Sequence, residues 1–166
     1  MTQCEKYGSG IERGIKLFLN MEKNFDEWNE QKKMLEQKTK RYLFKEADVW
    51  WCSIGVNVAE ESSGKGMGYM RPVLILKKLS DYSFICLPLS TKRKVGSWFV
   101  DVFINGKKNV VQLHQIRYLT TNRLQRHLVN LEKDDFARIK QKLEALLELS
   151  DNHQDTCPGS VGLPQK

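Results

Sequence analysis

The hydrophobic pattern of this chain is strongest between residues 68 and 94. Two apolar runs occur there, at residues 73–76 and 84–89, and a polar stretch at residues 77–82 separates them. Each run is short and rich in Val, Ile, Leu and Phe, which is typical of a buried β-strand. The pattern therefore predicts a β-hairpin whose two strands lie in the core.

Polar side chains mark one end of this predicted hairpin. Arg71 and Pro72 stand at the start of the first strand, and Ser90 and Thr91 stand at the end of the second. In an antiparallel pair the start of one strand lies beside the end of the other. A cation and two hydroxyls are therefore expected to meet at one end of the sheet, and we take that end as the candidate site.

Further short strands and tight turns are predicted on both sides of the hairpin. A long loop with four glycines, residues 55–69, precedes it, and loops of this length are usually functional or mobile. Asn105 and Gly106 predict a tight turn because both tolerate positive φ. The other strands are expected at residues 48–54, 98–104 and 109–118. Such a series of short strands favours a small barrel or a strongly curled sheet.

Two segments show the three-to-four spacing of an amphipathic helix. One is residues 21–42, where Asn24 or Asp26 is suited to start a shorter version because either can cap free backbone N–H groups. Packing on its own domain or on a dimer mate is favoured for this helix over ligand binding. The other is residues 134–149. Residues 120–130 fit a short helix or a final strand equally well.

These elements divide the chain into three parts. Residues 1–43 form an N-terminal helical extension, residues 44–149 a barrel domain, and residues 150–166 a flexible tail rich in Pro and Gly. Cys52 and Cys86 fall within predicted strands, which indicates buried reduced thiols and a cytoplasmic protein. No stretch is apolar over the thickness of a bilayer, and the first residues do not have the pattern of a signal peptide.

Positive charge is concentrated in the predicted sheet. The formal net charge is +7, and residues 62–130 contain twelve Lys and Arg against two Asp, whereas the flanking segments are close to neutral. Clustered positive charge on one domain is typical of a protein that binds a polyanion. A basic surface that only keeps the protein in solution explains the same count equally well.

Four short motifs follow one another within residues 44–149. They are WWCSIGVN at 50–57 with GKG at 64–66, MRPVLIL at 70–76, LPLST at 87–91, and LHQIR at 113–117. In this order they resemble the PemK/MazF family of toxin endoribonucleases, in its branch with a long first loop. The resemblance implies a mainly β (α+β) fold: an SH3-like, CcdB/PemK-type curled antiparallel barrel with a C-terminal helix, to which the N-terminal amphipathic helix is an addition.

The same resemblance implies a function. It implies a toxin that cleaves single-stranded RNA, chiefly mRNA, without a metal or a cofactor, and that leaves a 2′,3′-cyclic phosphate and a 5′-OH. A homodimer and a cognate antitoxin are the implied assembly and partner, with no role at a membrane. The competing interpretation is a non-catalytic module on the same barrel that binds RNA or a protein, as a CcdB-like member does.

Arg71, Ser90 and Thr91 are candidates for catalysis. Cleavage by the ribose 2′-OH needs a proton acceptor, a proton donor for the 5′-oxygen and a cation for the charged phosphorane. Arg71 suits the last role because a guanidinium grips phosphate bidentately, and by resemblance it matches the catalytic Arg of the family. Ser90 matches the catalytic Thr or Ser, and Thr91 can substitute for it. From the residues alone, an ion pair at a strand start would be the preferred interpretation of Arg71.

His114 is a fourth candidate, because it stands where many members of the family carry an acid. A histidine can serve as acid or base near neutral pH, yet a lone His in a strand is more often structural. Gln115 and Arg117 alternate with His114 along the predicted strand, so either His114 or that pair faces the Arg71 site. The identity of the base stays open at this point.

Cationic and aromatic side chains are the candidates for RNA binding. Six residues are assigned to this role: Lys65, Lys92, Arg93, Lys94, Gln115 and Arg117. Solvated surface charge explains these cations, and those at residues 107, 108, 123 and 126, about equally well. Trp50 and Trp51 are adjacent in a strand, so their rings point to opposite faces and an exposed one could stack on a base, although most aromatic residues of this region are expected in the core. No residue cluster predicts a metal site.

Overall fold

The computed structural model describes residues 23–148, and these residues form two helices and seven strands. The predicted tail at residues 150–166 and the first 20 residues lie outside the described part of the chain. The elements in chain order are α1 (Phe25–Glu36), β1 (Asp48–Ser53), β2 (Met70–Lys78), β3 (Ser83–Ser90), β4 (Phe99–Ile104), β5 (Lys107–Gln112), β6 (Arg117–Thr120), β7 (Leu124–Asn130) and α2 (Lys133–Leu147).

The strands form one curled antiparallel sheet in the order β4-β5-β3-β2-β1-β7, and β6 pairs with β3 outside this path. Strand β3 makes the sheet curl because it changes partner along its length. Its first half pairs with β6 at Ser83–Cys86, and its end pairs with β5 at Leu89 and Ser90. The predicted fold, mainly β with a curled antiparallel sheet and a C-terminal helix, is confirmed.

Both faces of the central strands are covered, which explains why β2 and β3 read as continuous apolar runs. Successive side chains point to opposite faces. Leu74 packs on one face with β4, β5 and the buried Ile139 of α2. Val73 and Ile75 pack on the other face in a second cluster that includes Phe44. Burial on both sides leaves no position for the polar residues that alternate in a half-exposed strand.

The N-terminal helix is shorter than the spacing predicted, and Asn24 caps it. The Asn24 side-chain oxygen accepts a hydrogen bond from the Glu27 backbone N–H at 2.9 Å. Trp28 is the buried residue of this helix and packs on the chain's own barrel. Of the two structures that residues 120–130 allowed, the strand is correct, since β7 pairs with β1 along its length.

The strand predicted at residues 109–118 is wrong in its second half. Strand β5 ends at Gln112, the segment Leu113–Gln115 forms a 3-10 turn, and β6 begins at Arg117. The break is needed because β5 and β6 pair with different parts of β3. Leu113, fully buried, anchors the turn in the core, and its N–H donates to the Trp98 carbonyl at 2.9 Å.

Two smaller expectations are met. The Asn105-Gly106 turn has positive φ at both residues, 50° and 73°. Cys52 and Cys86 are buried free thiols, and burial raises the pKa of Cys52 to about 12. Within residues 23–148 no helix is long and apolar enough to cross a membrane.

Candidate active site at the end of the β2–β3 hairpin

A cleft of about 690 Å³ opens where β2 begins and β3 ends, and we call it the Arg71 cleft. The β2–β3 register pairs Val73 with Pro88, so two residues further along Arg71 comes opposite Ser90. The structure thereby brings Arg71 together with Ser90 and Thr91, as the hairpin pattern predicted. The cleft is lined by Trp51, Lys65, Gly66, Met67, Met70, Arg71, Pro72, Leu89, Ser90, Thr91, Gln125 and Arg126.

Backbone carbonyls hold the Arg71 guanidinium in place. Its Nε donates to the Ser63 carbonyl at 2.7 Å, and its Nη1 donates to the Leu89 carbonyl at 3.1 Å. No carboxylate of the described residues lies within ion-pair distance of Arg71. The ion pair that the sequence suggested as an alternative is therefore not formed within residues 23–148.

The electrostatics of Arg71 are those of a partly desolvated cation. Burial lowers its pKa from the usual value of 12.5, and the charge of Arg117 lowers it further. A guanidinium remains charged at neutral pH all the same. Of its five N–H donors, two are used on carbonyls, which leaves three for a ligand. A half-buried cation with free donors and no counter-charge in this part of the chain is suited to bind an anion.

The two hydroxyl residues stand at the open end of β3. Ser90 is half-buried and Thr91 is exposed. The Ser90 oxygen accepts a hydrogen bond from the Lys92 backbone N–H at 3.2 Å. Because this bond uses only an oxygen lone pair, the Ser90 hydroxyl proton remains available for a ligand in the cleft.

The long loop between β1 and β2, residues 54–69, forms another wall of the cleft. Its second half folds into a small hairpin, since the backbones of Lys65 and Met70 exchange hydrogen bonds of 2.8 and 3.1 Å. A Cβ at Gly64 would lie 1.7 Å from the Tyr69 carbonyl oxygen, so only glycine fits there. This hairpin places Lys65 at the cleft, and Ser63, just before it, supplies the carbonyl for Arg71.

An aromatic wall and one unexpected strand complete the cleft. Trp51 lines it, whereas Trp50 is buried on the other face of β1, as the alternation of adjacent residues predicted. Strand β7 contributes Gln125 and Arg126. Arg126 stood out in the sequence only as one charge among several, and no local signal could place it beside Arg71, because the β1–β7 pairing joins residues more than 70 positions apart.

His114 lies apart from the walls of the Arg71 cleft. Its ring is 5.2 Å from that of Phe99 and 5.9 Å from that of Trp98, centroid to centroid. With Gln115 and Arg117 it borders a separate open depression. The expectation of a continuous strand here is wrong, since a 3-10 turn occurs at Leu113–Gln115. His114 does not line the Arg71 cleft, whereas the charge of Arg117 reaches Arg71 and lowers its pKa.

Gln115 nevertheless connects to the cleft through the β1–β2 loop. Its side-chain oxygen accepts a hydrogen bond from the Ser62 backbone N–H at 3.1 Å. Gln112, which the sequence did not single out, donates to the Ser62 hydroxyl at 2.9 Å. Both glutamines therefore support the loop that holds Arg71.

The basic residues near the cleft are largely without acidic partners. Three of the twelve cations in residues 62–130 form ion pairs, namely Lys77 with Glu46, Lys78 with Asp81 and Lys108 with Asp101. The remaining nine have no ion pair in the described chain, and they include Lys65, Lys92, Arg93, Lys94 and Arg117. Lys94 also lies over the Phe99 ring at 5.3 Å and donates to Gln112 at 3.3 Å. Of these nine, Lys65, Arg71 and Arg126 line the Arg71 cleft, whereas Arg117 borders the separate depression beside His114.

The described residues contain no group of three or more His, Cys, Asp and Glu side chains that could hold a metal ion.

Comparison with known proteins identifies similar sequences and folds. A sequence profile of the PemK-like, MazF-like toxins of type II toxin–antitoxin systems matches residues 45–147, from just before β1 to the end of α2. Helix α1 lies outside this match. No curated protein sequence matches the chain.

Several solved structures share the fold. MazF from Deinococcus radiodurans superposes with a TM-score of 0.54 at 21% identity, over 64% of this chain and 98% of that one. An endoribonuclease from a Mycobacterial species, solved with its cognate antitoxin, gives 0.52 at 17% identity, over 64% and 97%. A MazE–MazF structure from Deinococcus radiodurans gives 0.50 at 20% identity, over 66% and 100%. At these identities the likeness is one of fold.

Proposed function

The chain belongs to the family of PemK-like, MazF-like toxins of type II toxin–antitoxin systems, and on this premise we propose that it is an endoribonuclease that cleaves single-stranded RNA in the Arg71 cleft. One observation carries the proposal. Arg71 is a half-buried cation that two carbonyls hold in place, it has no carboxylate partner in residues 23–148, and it lies at one cleft with Ser90 and Thr91. A similar fold occurs in a protein described as an endoribonuclease.

In the proposed reaction the ribose 2′-oxygen attacks the adjacent phosphorus and the bond to the 5′-oxygen breaks. The 2′-OH loses a proton, the 5′-oxygen gains one, and the products are a 2′,3′-cyclic phosphate and a 5′-OH. Arg71 stabilises the charge that builds up on the phosphorane oxygens, where a positioned donor has its largest effect. The hydroxyl of Ser90 or Thr91 donates to a non-bridging oxygen. None of these steps needs a metal.

The proton acceptor of this reaction would have to come from outside the described lining of the cleft. Among residues 23–148, those that line the cleft include no carboxylate and no imidazole. For His114 to accept the 2′-proton, the RNA would have to run from the cleft to the turn that carries His114. The scheme therefore assigns the main acceleration to charge and hydrogen bonding at Arg71 and Ser90.

The proposal extends to partners and assembly. MazF has been solved with MazE, and the Mycobacterial endoribonuclease with its cognate antitoxin. By analogy, a cognate antitoxin would restrain this chain in the cytoplasm, where mRNA is found. A two-fold homodimer is the expected assembly, with the uncompensated cations Lys65, Lys92, Arg93, Lys94 and Arg117, together with Gln115, along the RNA path.

A second function is favoured by the same lack of an acid or imidazole in the cleft. A non-catalytic module would need only the charge and the aromatic wall to bind RNA, or a complementary surface to bind a protein. This interpretation explains the cation cluster, but it gives no reason for the backbone anchoring of Arg71.

Cleavage in the presence of EDTA separates the two functions. Purified protein is incubated with a long single-stranded RNA and, in parallel, with the same sequence as a duplex. We expect fragments from the single strand that carry a 2′,3′-cyclic phosphate, and little cleavage of the duplex. Intact RNA after prolonged incubation at high protein concentration, together with retained binding, would establish the binding module instead.

A further inference from the structure

Helix α1 packs on the β1–β2 loop, although it lies outside the part of the chain that matches the family. Its Trp28 is only 6% exposed. The indole lies so close to Gly55 that a Cβ built there would be 2.2 Å from the ring. Gly55 also has a φ of +86°, which L side chains rarely adopt. Gly55, two residues after the end of β1, therefore leaves the space that Trp28 occupies.

Trp28 contacts the other end of the same loop as well. Its ring meets the Tyr69 ring edge to face, with the centroids 5.6 Å apart. Hydrogen bonding to Glu27 of α1 raises the pKa of Tyr69 to about 12. The Gly55 N–H donates to the Tyr69 carbonyl at 3.2 Å. Helix α1 thus covers the point where the two ends of the loop meet.

A second contact from the N-terminal segment reaches the middle of the loop. The Lys23 ammonium donates to the carbonyls of Asn57 and Ala59, at 2.5 and 3.0 Å. Ala59 has a φ of +44°, an unusual conformation for alanine that these bonds help to hold. Two separate residues of this segment therefore restrain one loop.

The loop passes this restraint on to Arg71 by a continuous set of hydrogen bonds. The Asn57 side chain donates to the Ser62 carbonyl at 2.8 Å, and the Asn57 N–H donates to the Ser63 hydroxyl at 3.0 Å. The Ser63 carbonyl then accepts the Arg71 Nε bond at 2.7 Å. If Ser63 moved, Arg71 would lose one of the two carbonyls that orient it.

We propose that Trp28 is a positioning residue for Arg71, and that Lys23 assists it: the N-terminal segment clamps the β1–β2 loop in the conformation that places the Ser63 carbonyl under the guanidinium. This inference rests on the proposed function for its kinetic consequence, but its structural consequence can be measured without RNA. Through this contact, the N-terminal extension contributes to the geometry of the active site. A misplacement of about 1 Å in a catalytic group can lower a rate about a hundredfold.

The test compares Trp28→Ala with Phe25→Ala, an aromatic residue of the same helix that is 49% exposed. In Trp28→Ala we expect kcat to fall about ten- to a hundredfold with a smaller change in KM, because the cation is misplaced and not removed. Trp28→Phe, which keeps an aromatic ring, should restore part of the rate. Phe25→Ala should stay within about twofold of the natural protein.

A spectroscopic readout reports on Arg71 directly. The Arg71 Nε–H is hydrogen-bonded and should exchange slowly with water, so it should give a resolved signal in a proton–nitrogen correlation spectrum, assigned by its absence in Arg71→Lys. We expect this protection to be lost in Trp28→Ala and kept in Phe25→Ala. Retained protection in a folded Trp28→Ala, or an unchanged kcat, would overturn the inference.

A second variant covers the case in which loss of the buried indole prevents folding. Lys23→Met removes both carbonyl contacts but keeps a long side chain, and Lys33→Met, whose ammonium pairs with Glu30 on the same helix, is its control. Lys23→Met should weaken the protection of the Arg71 Nε–H from exchange with water, and Lys33→Met should not. Equal protection from exchange in the two variants would refute the clamp. If the natural protein cuts no RNA while this pattern is observed, the proposed function fails and the positioning of Arg71 stands.

Discussion

The Arg71 cleft and the turn that carries His114 are built in different ways. Main-chain carbonyls of the β1–β2 loop and of β3 fix Arg71, and a cleft of about 690 Å³ lies in front of it. The His114 ring packs beside the rings of Phe99 and Trp98 at the edge of an open depression. In the first arrangement, hydrogen bonds orient a charged side chain at a cleft where a ligand could bind. In the second, a side chain packs against neighbouring rings. Four substitutions test whether this difference is one of function.

Arg71→Ala should have the largest effect. A preorganised charge on the transition state typically contributes about 3–4 kcal/mol, so the rate of RNA cleavage should fall about a hundred- to a thousandfold. Arg71→Lys should recover little, since an ammonium cannot reproduce the bidentate geometry. The measurement is single-turnover cleavage of a labelled RNA, with thermal unfolding as the check on the fold. Near-full activity in a folded Arg71→Ala would place the chemistry elsewhere.

Gly64→Ala should come next, because it disturbs the loop that holds Arg71 without touching the cation. The new Cβ would lie 1.7 Å from the Tyr69 carbonyl oxygen, so the loop must shift. We expect cleavage to slow about tenfold or more. Gly106→Ala is the control: it adds a Cβ in open space in the β4–β5 turn, at a φ of +73°, and should lower stability slightly with no change in rate. Equal rates in the two variants would show that the loop does not position the site.

Ser90→Ala should have a smaller effect than either. It removes one hydroxyl from the cleft, and a hydrogen bond to a charged group contributes about 1.5–3 kcal/mol at most, of which Thr91 can replace a part. A loss of about tenfold in kcat is expected, and the double variant with Thr91→Ala should lose more than Ser90→Ala alone. A Ser90→Ala rate as low as that of Arg71→Ala would mean that the hydroxyl takes part in proton transfer.

His114→Ala should have the smallest effect if only residues at the Arg71 cleft take part in RNA cleavage. The ring borders a different depression from Arg71, so we expect less than about a threefold change in rate. His127→Ala is the matched control, since that imidazole contacts Asp48 and Trp50 on β1. A loss of a hundredfold or more in a folded His114→Ala, with His127→Ala near the natural rate, would instead identify His114 as the base.

Several parts of the protein follow from residues that are neighbours along the chain. The β2–β3 hairpin follows from two apolar runs joined by a short polar link, and antiparallel pairing then brings Arg71 to Ser90 whatever the rest of the fold does. The same holds for the Asn105-Gly106 turn and for the Asn24 cap. In each case the information lies within about twenty residues, where pattern and turn chemistry act directly.

The surroundings of Arg71 depend instead on elements that are distant along the chain. The pairing of β7 with β1 brings in Arg126, and the change of partner along β3 breaks the chain into a turn at His114 and moves that residue away from the cleft. Trp28 meets Gly55 only because α1 folds back on the loop. Periodicity shows which face of an element is buried, but it does not show which distant element covers that face. Long-range strand pairing therefore determines which residues surround Arg71, and the pattern of side chains along the chain does not specify that pairing.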